Sequence, residues 1–253
     1  MFQHAAKKER RFSHDIKLAA LLATTAGCVN TAGFFAFEVL TTNVTGHVAL
    51  MANELVANNW QSVYTKLLWI FLFFAGAFAS SMMVQMVGRK HSRFAHTLPL
   101  VLEMIILIFV AYYGGQNYDY SIFNTELLAG SLLFAMGMQN AMVTIVSGSV
   151  IRTTHLTGLI TDLGIEIAKA IMAESGEKRH KMLQKITLHG TIVCCFFLGG
   201  IVGGYGFANY LFNAFAIPFL ILVFAMFYDL TYARMYMLKK RILKANLKAK
   251  TAI

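Results

Sequence analysis

Six stretches of this chain are each about as long as a helix must be to cross the apolar interior of a bilayer, roughly 20 residues. No other feature limits the fold as much. They run approximately over residues 16–39, 65–87, 97–114, 125–147, 184–209 and 212–230. A segment entering lipid alone must satisfy its own backbone hydrogen bonds, so each is expected to be an α-helix. Composition agrees: 57% of the 253 residues are hydrophobic and 13% charged, with a mean hydropathy of +0.59, too apolar for an ordinary soluble domain. The first stretch is long, contains Asn30 and has no obvious small-residue cleavage site after it, so it is read as a span and not as a removable leader.

A net charge of +10 would point to nucleic acid if the cations were spread over a soluble face. They cluster instead between alternate spans. With both termini in the cytoplasm, all but one of the 22 lysines and arginines fall on the inner side, Lys66 being the exception. That is the positive-inside pattern of a multi-pass protein, and the expected partner is the lipid bilayer, with no nucleic acid. Trp60, Tyr64, Tyr112, Tyr113, Tyr118 and Tyr120 mark the outer boundary, and Tyr228, Tyr232 and Tyr236 the inner one. Residues 1–15 and 233–253 read as basic cytoplasmic tails; the second, with KKRILKANLKAK, suits anionic headgroups. Cys28, Cys194 and Cys195 lie inside apolar segments at no ligand or disulfide spacing.

The chain also says one thing twice. TTNVTGHVALMANEL at 41–55 is matched by TTHLTGLITDLGIEI at 153–167, and GCVN at 27–30 by GMQN at 137–140. Each unit is a span with a Gly and an Asn, a Thr-Thr-x-x-Thr-Gly turn, a short helix (about 45–57 and 157–172) and two further spans. Three spans is an odd number, so the second unit, about 125–230, must enter the membrane opposite to the first, about 16–114. The expected fold is all-α: one integral membrane domain over 1–253, with six transmembrane helices as two inverted three-span repeats, as in many transporters. The short helices cannot cross and are expected to be re-entrant or interfacial. A threonine before a glycine at each start is expected to cap the helix.

The pattern G-x-x-N, T-x-N-x-T-G, G-x-Q-N-A and T-T-x-x-T-G-x-x-T-D-x-G resembles the YoaK-like family of six-span bacterial inner-membrane proteins, over about residues 16–232. That resemblance implies a compact helical protein of the bacterial inner membrane and no established substrate.

Polar groups inside spans are costly and are functional candidates by default. Asn30 and Asn140 occupy matching places, and with Thr42, Asn43, Thr45, Gly46, Thr154, Thr157 and Gly158 they form the expected solute site. The alternative for the asparagines is helix–helix hydrogen bonding. Glu54 and Glu166 are a second matched pair, open between ion or proton ligands and the polar face of an interfacial helix. Asp162 has Leu50 opposite it and breaks the symmetry. Glu103 lies deep in the third span and needs a partner, for which His189 is the obvious candidate by type. Gly199 with Gly203, and Gly200 with Gly204, have the small-x-x-x-small spacing of a close helix contact, either a homodimer seam or packing against AGAFAS of the second span. No phosphate loop, HExxH or nucleophile elbow occurs, so no enzyme activity, cofactor or metal is expected. The leading expectation is a small secondary transporter or channel-like permease for a small polar or anionic solute or ion. The alternatives are a dimeric membrane scaffold and an intramembrane enzyme using Glu103, Asp162 or His189.

Overall fold

The computed structural model describes residues 2–91, 97–146, 156–172 and 176–250. Among them the regular structure is all helix: α1 (Phe2–Phe37), α2 (Val44–Val56), α3 (Trp60–His91), α4 (Thr97–Asn117), α5 (Ile122–Val146), α6 (Leu156–Met172), α7 (Glu177–Tyr210) and α8 (Ala216–Lys250), with a 3₁₀ turn Leu211–Phe215 between the last two. Five segments are long and apolar enough to cross a membrane: Ser13–Phe37, Trp60–Val87, Thr97–Asn117, Ile122–Ile145 and Arg179–Tyr232. The fifth is 54 residues long and takes in most of α7 and the first half of α8, the two expected to be separate. The chain breaks between them at Leu211, held at φ 49°. The short helix α2, of 13 residues, begins one residue earlier than the sequence suggests, and α6 is described over 17 residues from Leu156.

Close contacts fix the helix directions. Gly199 lies beside Thr24, Gly203 beside Cys28 and Gly204 beside Phe35, so α1 and α7 run parallel. In contrast, His14 near the start of α1 meets Asp229 and Tyr232 of α8. Phe37, at the end of α1, meets Phe212 just before α8. Thus α8 runs antiparallel to both α1 and α7.

The two most extensive helix pairs are α1 with α7 and α3 with α5, and glycines make both possible. A Cβ on Gly27 would stand 1.9 Å from the Phe196 carbonyl oxygen, and one on Gly199 2.1 Å from that of Thr24. In the other pair, Gly137 would meet the Phe73 oxygen at 2.1 Å and Gly76 that of Phe134 at 2.0 Å. Backbones in direct contact are how helices associate where lipid removes the hydrophobic driving force. Of the two readings of the glycine-rich stretch of the fifth expected span, the structure shows packing within the monomer, with α1 and not AGAFAS as the neighbour. Gly199 and Gly203 are spent on α1 within the monomer, Gly200 and Gly204 face Thr31 and Phe35 of α1, and Gly76 of AGAFAS packs on α5. Smaller contacts follow the same alternation: α2 packs on α3 and α6 on α7, while α1 packs on α8 and α4 on α5.

The interior is filled by Leu100, Leu107, Leu128, Leu132, Leu133, Met136, Ile192 and Leu222, all essentially inaccessible. Outward, Leu67, Phe71, Phe74, Phe78 and Met82 form an exposed apolar stripe on α3, and Phe197, Ile201 and Tyr205 form one on α7. Large exposed apolar faces on long apolar helices are surfaces built for lipid. Between α4 and α5 a polar turn closes the hairpin. There the Asp119 carboxylate accepts from the Ser121 N–H (3.0 Å) and from Asn124 Nδ2 (2.7 Å), hydrogen bonds that hold its carboxyl down to about 2.

Candidate functional site: a polar turn on the first span and two matched ion pairs

After α1 ends at Phe37, Glu38 takes φ 58° and the chain doubles back along the helix. Thr42 thereby reaches Asn30: its N–H and its hydroxyl both donate to Asn30 Oδ1, at 3.1 and 2.9 Å. The Asn30 amide nitrogen has no hydrogen bond among the described residues. Thr41 is fully buried with its hydroxyl unpaired. Asn43 then caps α2, its Oδ1 accepting from the Gly46 N–H at 3.0 Å. A Cβ on Gly46 would come within 2.5 Å of the Asn43 amide, so the glycine is what lets that cap close. The expected threonine cap is therefore corrected. Asn43 reaches the third N–H of the helix, the usual capping reach, while Thr45 sits exposed in the first turn.

In the second copy α6 is described from Leu156, the position matched with Val44. Thr154 lies outside the described residues. Thr157 and Gly158 are exposed, with open space around the Gly158 Cβ position, and Asp162 is exposed with no ion pair among the described residues. Asn140 is half-buried like Asn30. Residues 131–143 repeat the pattern of buried and half-buried positions of residues 21–33 place for place. Gln139 beside Asn140 is fully buried and donates from Nε2 to the Leu22 carbonyl on α1 at 3.1 Å.

Glu54 and Glu166 are both in ion pairs, each with the helix that follows its own. Glu54 stands 3.6 Å from Lys66 Nζ on α3 and accepts from Asn59 Nδ2 at 2.8 Å. Lys66 also donates to Ser62 Oγ at 2.6 Å and lies over the Trp69 ring. Glu166 stands 3.1 Å from His189 Nδ1 and 3.8 Å from Lys185 Nζ on α7; the His189 contact is close but not aligned as a hydrogen bond. His189 is thus the partner of Glu166, and its suggested pairing with Glu103 is corrected. Glu103 is 1% exposed, its Oε1 has no partner, and it makes no ion pair among the described residues.

Sequence reasoning missed Lys66 as a site residue, treating it only as the outlier in the charge count. The signal was present: Lys66 stands ten residues before Gly76, and His189 ten before Gly199, the two glycines with equivalent roles. It also missed His47, Glu126 and Trp69. The Trp69 indole donates to Glu126 on α5, and the His47 ring packs edge-on to Trp69 at 5.2 Å, its Nε2 2.9 Å from the Leu40 oxygen. Burial, with Lys66 nearby, pushes His47 below its ordinary value. The neutral ring then carries its proton on Nε2 to donate to Leu40. Near the start of α1, His14 is stacked on Tyr232 at 3.8 Å and contacts Asp229 at 3.3 Å.

The second short helix runs back along α7. Leu156, at the start of α6, lines a largely apolar cleft of about 670 Å³ with Thr31 of α1 and Val193, Phe196 and Gly200 near the middle of α7. Ten residues later Glu166 has reached Lys185 and His189, nearer the beginning of α7. In α2, His47 lies against Trp69, and Glu54 against Lys66 closer to the start of α3.

Searches against curated proteins and against solved structures returned no match. Residues 18–228, most of the chain, with the polar turn and the Glu54 and Glu166 pairs, match the model of a family described as a protein of unknown function. With its apolar helices, the chain is a membrane protein belonging to the DUF1275 family.

Proposed function

We propose that this chain crosses the bacterial inner membrane six times, both termini cytoplasmic, as two inverted halves of three spans each. The antiparallel course of α7 and α8 supports counting Arg179–Tyr232 as two crossings. The packing supports the two-fold: exchanging α1–α4 with α5–α8 turns the α1–α7 contact into α5–α3, α2–α3 into α6–α7 and α1–α8 into α5–α4, each an observed pair of similar extent. The short helices are re-entrant on this reading, starting at mid-depth and ending at opposite surfaces. Single cysteines in place of Gln61 and Glu177 should react with an impermeant maleimide from opposite sides of the membrane. Reaction from one side only would remove both the six-span count and the inversion.

The function this arrangement supports best is a permease, with no chemistry of its own, for a small polar or anionic solute. The observation that carries it is Asn30. Its carbonyl is occupied by Thr42, which leads into α2, and its two amide N–H donors have no hydrogen bond among the described residues. An amide donor and the positive end of a helix dipole attract an anion or the carboxylate of a zwitterion without a fixed positive charge. In the other half Thr157 stands exposed in the first turn of α6, and Asn140 occupies the place matched with Asn30. The test uses Thr45→Val, because the exposed Thr45 side chain supports no other residue. After a thermal-shift screen identifies a stabilising solute, Thr45→Val should weaken its binding about 2- to 13-fold, the worth of one hydrogen bond, with the ligand-free melting temperature unchanged. Unaltered affinity would place the site elsewhere, and no stabilising solute from a broad anion and amino-acid library would remove the permease reading.

A further inference from the structure

The acid–base contacts Glu54–Lys66 and Glu166–His189 occupy equivalent places at opposite ends of the bundle. Each acid stands nine residues after the threonine of its Thr-Gly motif, Thr45 or Thr157, and each base lies ten residues before a glycine buried against a neighbouring helix. The side chains are mostly shielded, Lys66 11% and Glu54 27% exposed, His189 9% and Glu166 12%. Pairs this sheltered are screened less than surface bridges. Each ties the far end of a short helix to the span behind it, while the near end of that helix carries the Thr-Gly motif. Packing elsewhere does not hold α2 and α6 as firmly. Among the described residues α2 has few buried side chains, His47 chief among them, and α6 has Leu159, Glu166 and Ala170.

We propose that these two pairs are the latches of the solute path, Glu54–Lys66 closing one end and Glu166–His189, supported by Lys185, closing the other. Both contacts are made in this structure, and on this reading the form with both made is the closed one. This inference rests on the permease reading and deepens it. Releasing one latch frees a short helix to swing from its span and opens the polar turn to that side. Because the two open forms compete with one closed form, populating one depletes the other. A pair that merely braced a helix would show no such coupling.

The test uses the full chain in liposomes with Cys28, Cys194 and Cys195 replaced by alanine and one reporter, Thr45→Cys or Thr157→Cys, labelled by impermeant maleimide from each side. Adding Glu54→Gln should raise labelling of the first reporter about fivefold, as expected for loss of a pair worth about 1 kcal/mol, and lower labelling of the second. Glu166→Gln should do the reverse. The exchange Glu54→Lys with Lys66→Glu should restore the original rates, and His189→Lys, which writes the other half's base into this one, should keep its end closed. Labelling that changes only at the mutated end, at both ends in the same direction, or not at all would overturn the latches. Reciprocal labelling in a protein that binds and moves no solute would leave them standing and remove the permease reading instead.

Discussion

Alanine at Gly27, Gly76, Gly137 or Gly199 is expected to cost more than any other single methyl added to this protein. Each Cβ would lie 1.9–2.1 Å from a carbonyl oxygen of the neighbouring helix, well inside any real contact. The obstacle is backbone, so no rotamer change relieves it. The helix pair must separate by an ångström or more, and the packing on both sides of it is lost. Overpacking of a core typically costs about 1–3 kcal/mol, and a rigid backbone clash belongs at or above the top of that range. A loss of about 3 kcal/mol lowers the melting temperature of a chain this size by roughly 6–12 °C. The matched control is Gly158→Ala or Gly164→Ala, where nothing lies within 4 Å and the higher helix propensity of alanine favours the variant by up to about 1 kcal/mol. Melting curves in detergent, read with size-exclusion profiles, make the comparison. Equal melting temperatures for Gly27→Ala and Gly158→Ala would show that α1 and α7 are not in backbone contact.

Replacing Glu103 by leucine should have the opposite sign. The carboxyl is 1% exposed on an apolar span, one of its oxygens has no partner, and nothing cationic pairs with it among the described residues. A buried polar group left unsatisfied costs about 1–3 kcal/mol, and a leucine of similar volume removes that cost. Pro99 and Pro218 both stand third in their helices, α4 and α8, and with these aligned the position of Glu103 in the other half is Leu222, which is also fully buried. The protein already accommodates leucine at that place. Glu103→Leu should therefore melt higher than the parent by roughly 2–12 °C. If it also loses solute uptake, Glu103 is retained for coupling an ion or proton at the expense of stability. A lower melting temperature would mean that the carboxyl has a structural partner.

Much of this was legible in the sequence because the bilayer imposes its own grammar. Helix length, the lack of charge within spans and the placement of cations follow from the cost of moving charge and unpaired backbone into hydrocarbon, and that cost acts on each segment locally. The apolar helices, the two short elements and the duplicated motif could be read that way, while α1, α7 and α8 extend well beyond the expected spans into the basic flanks. What sequence left open was which groups meet. Asn43, not a threonine, caps α2 because its side chain reaches the third N–H of the helix, and Gly46 leaves room for it. His189 meets Glu166 and not Glu103 because α6 descends along α7. Gly199 and Gly203 close on α1 because α7 runs parallel to it, and no local pattern says which neighbour a small-residue face will choose. The sequence by itself determined the solvent, the segments and the repetition. Only the tertiary structure decided the partners, because contacts between helices depend on direction, depth and rotation, which residues far apart in the chain fix jointly.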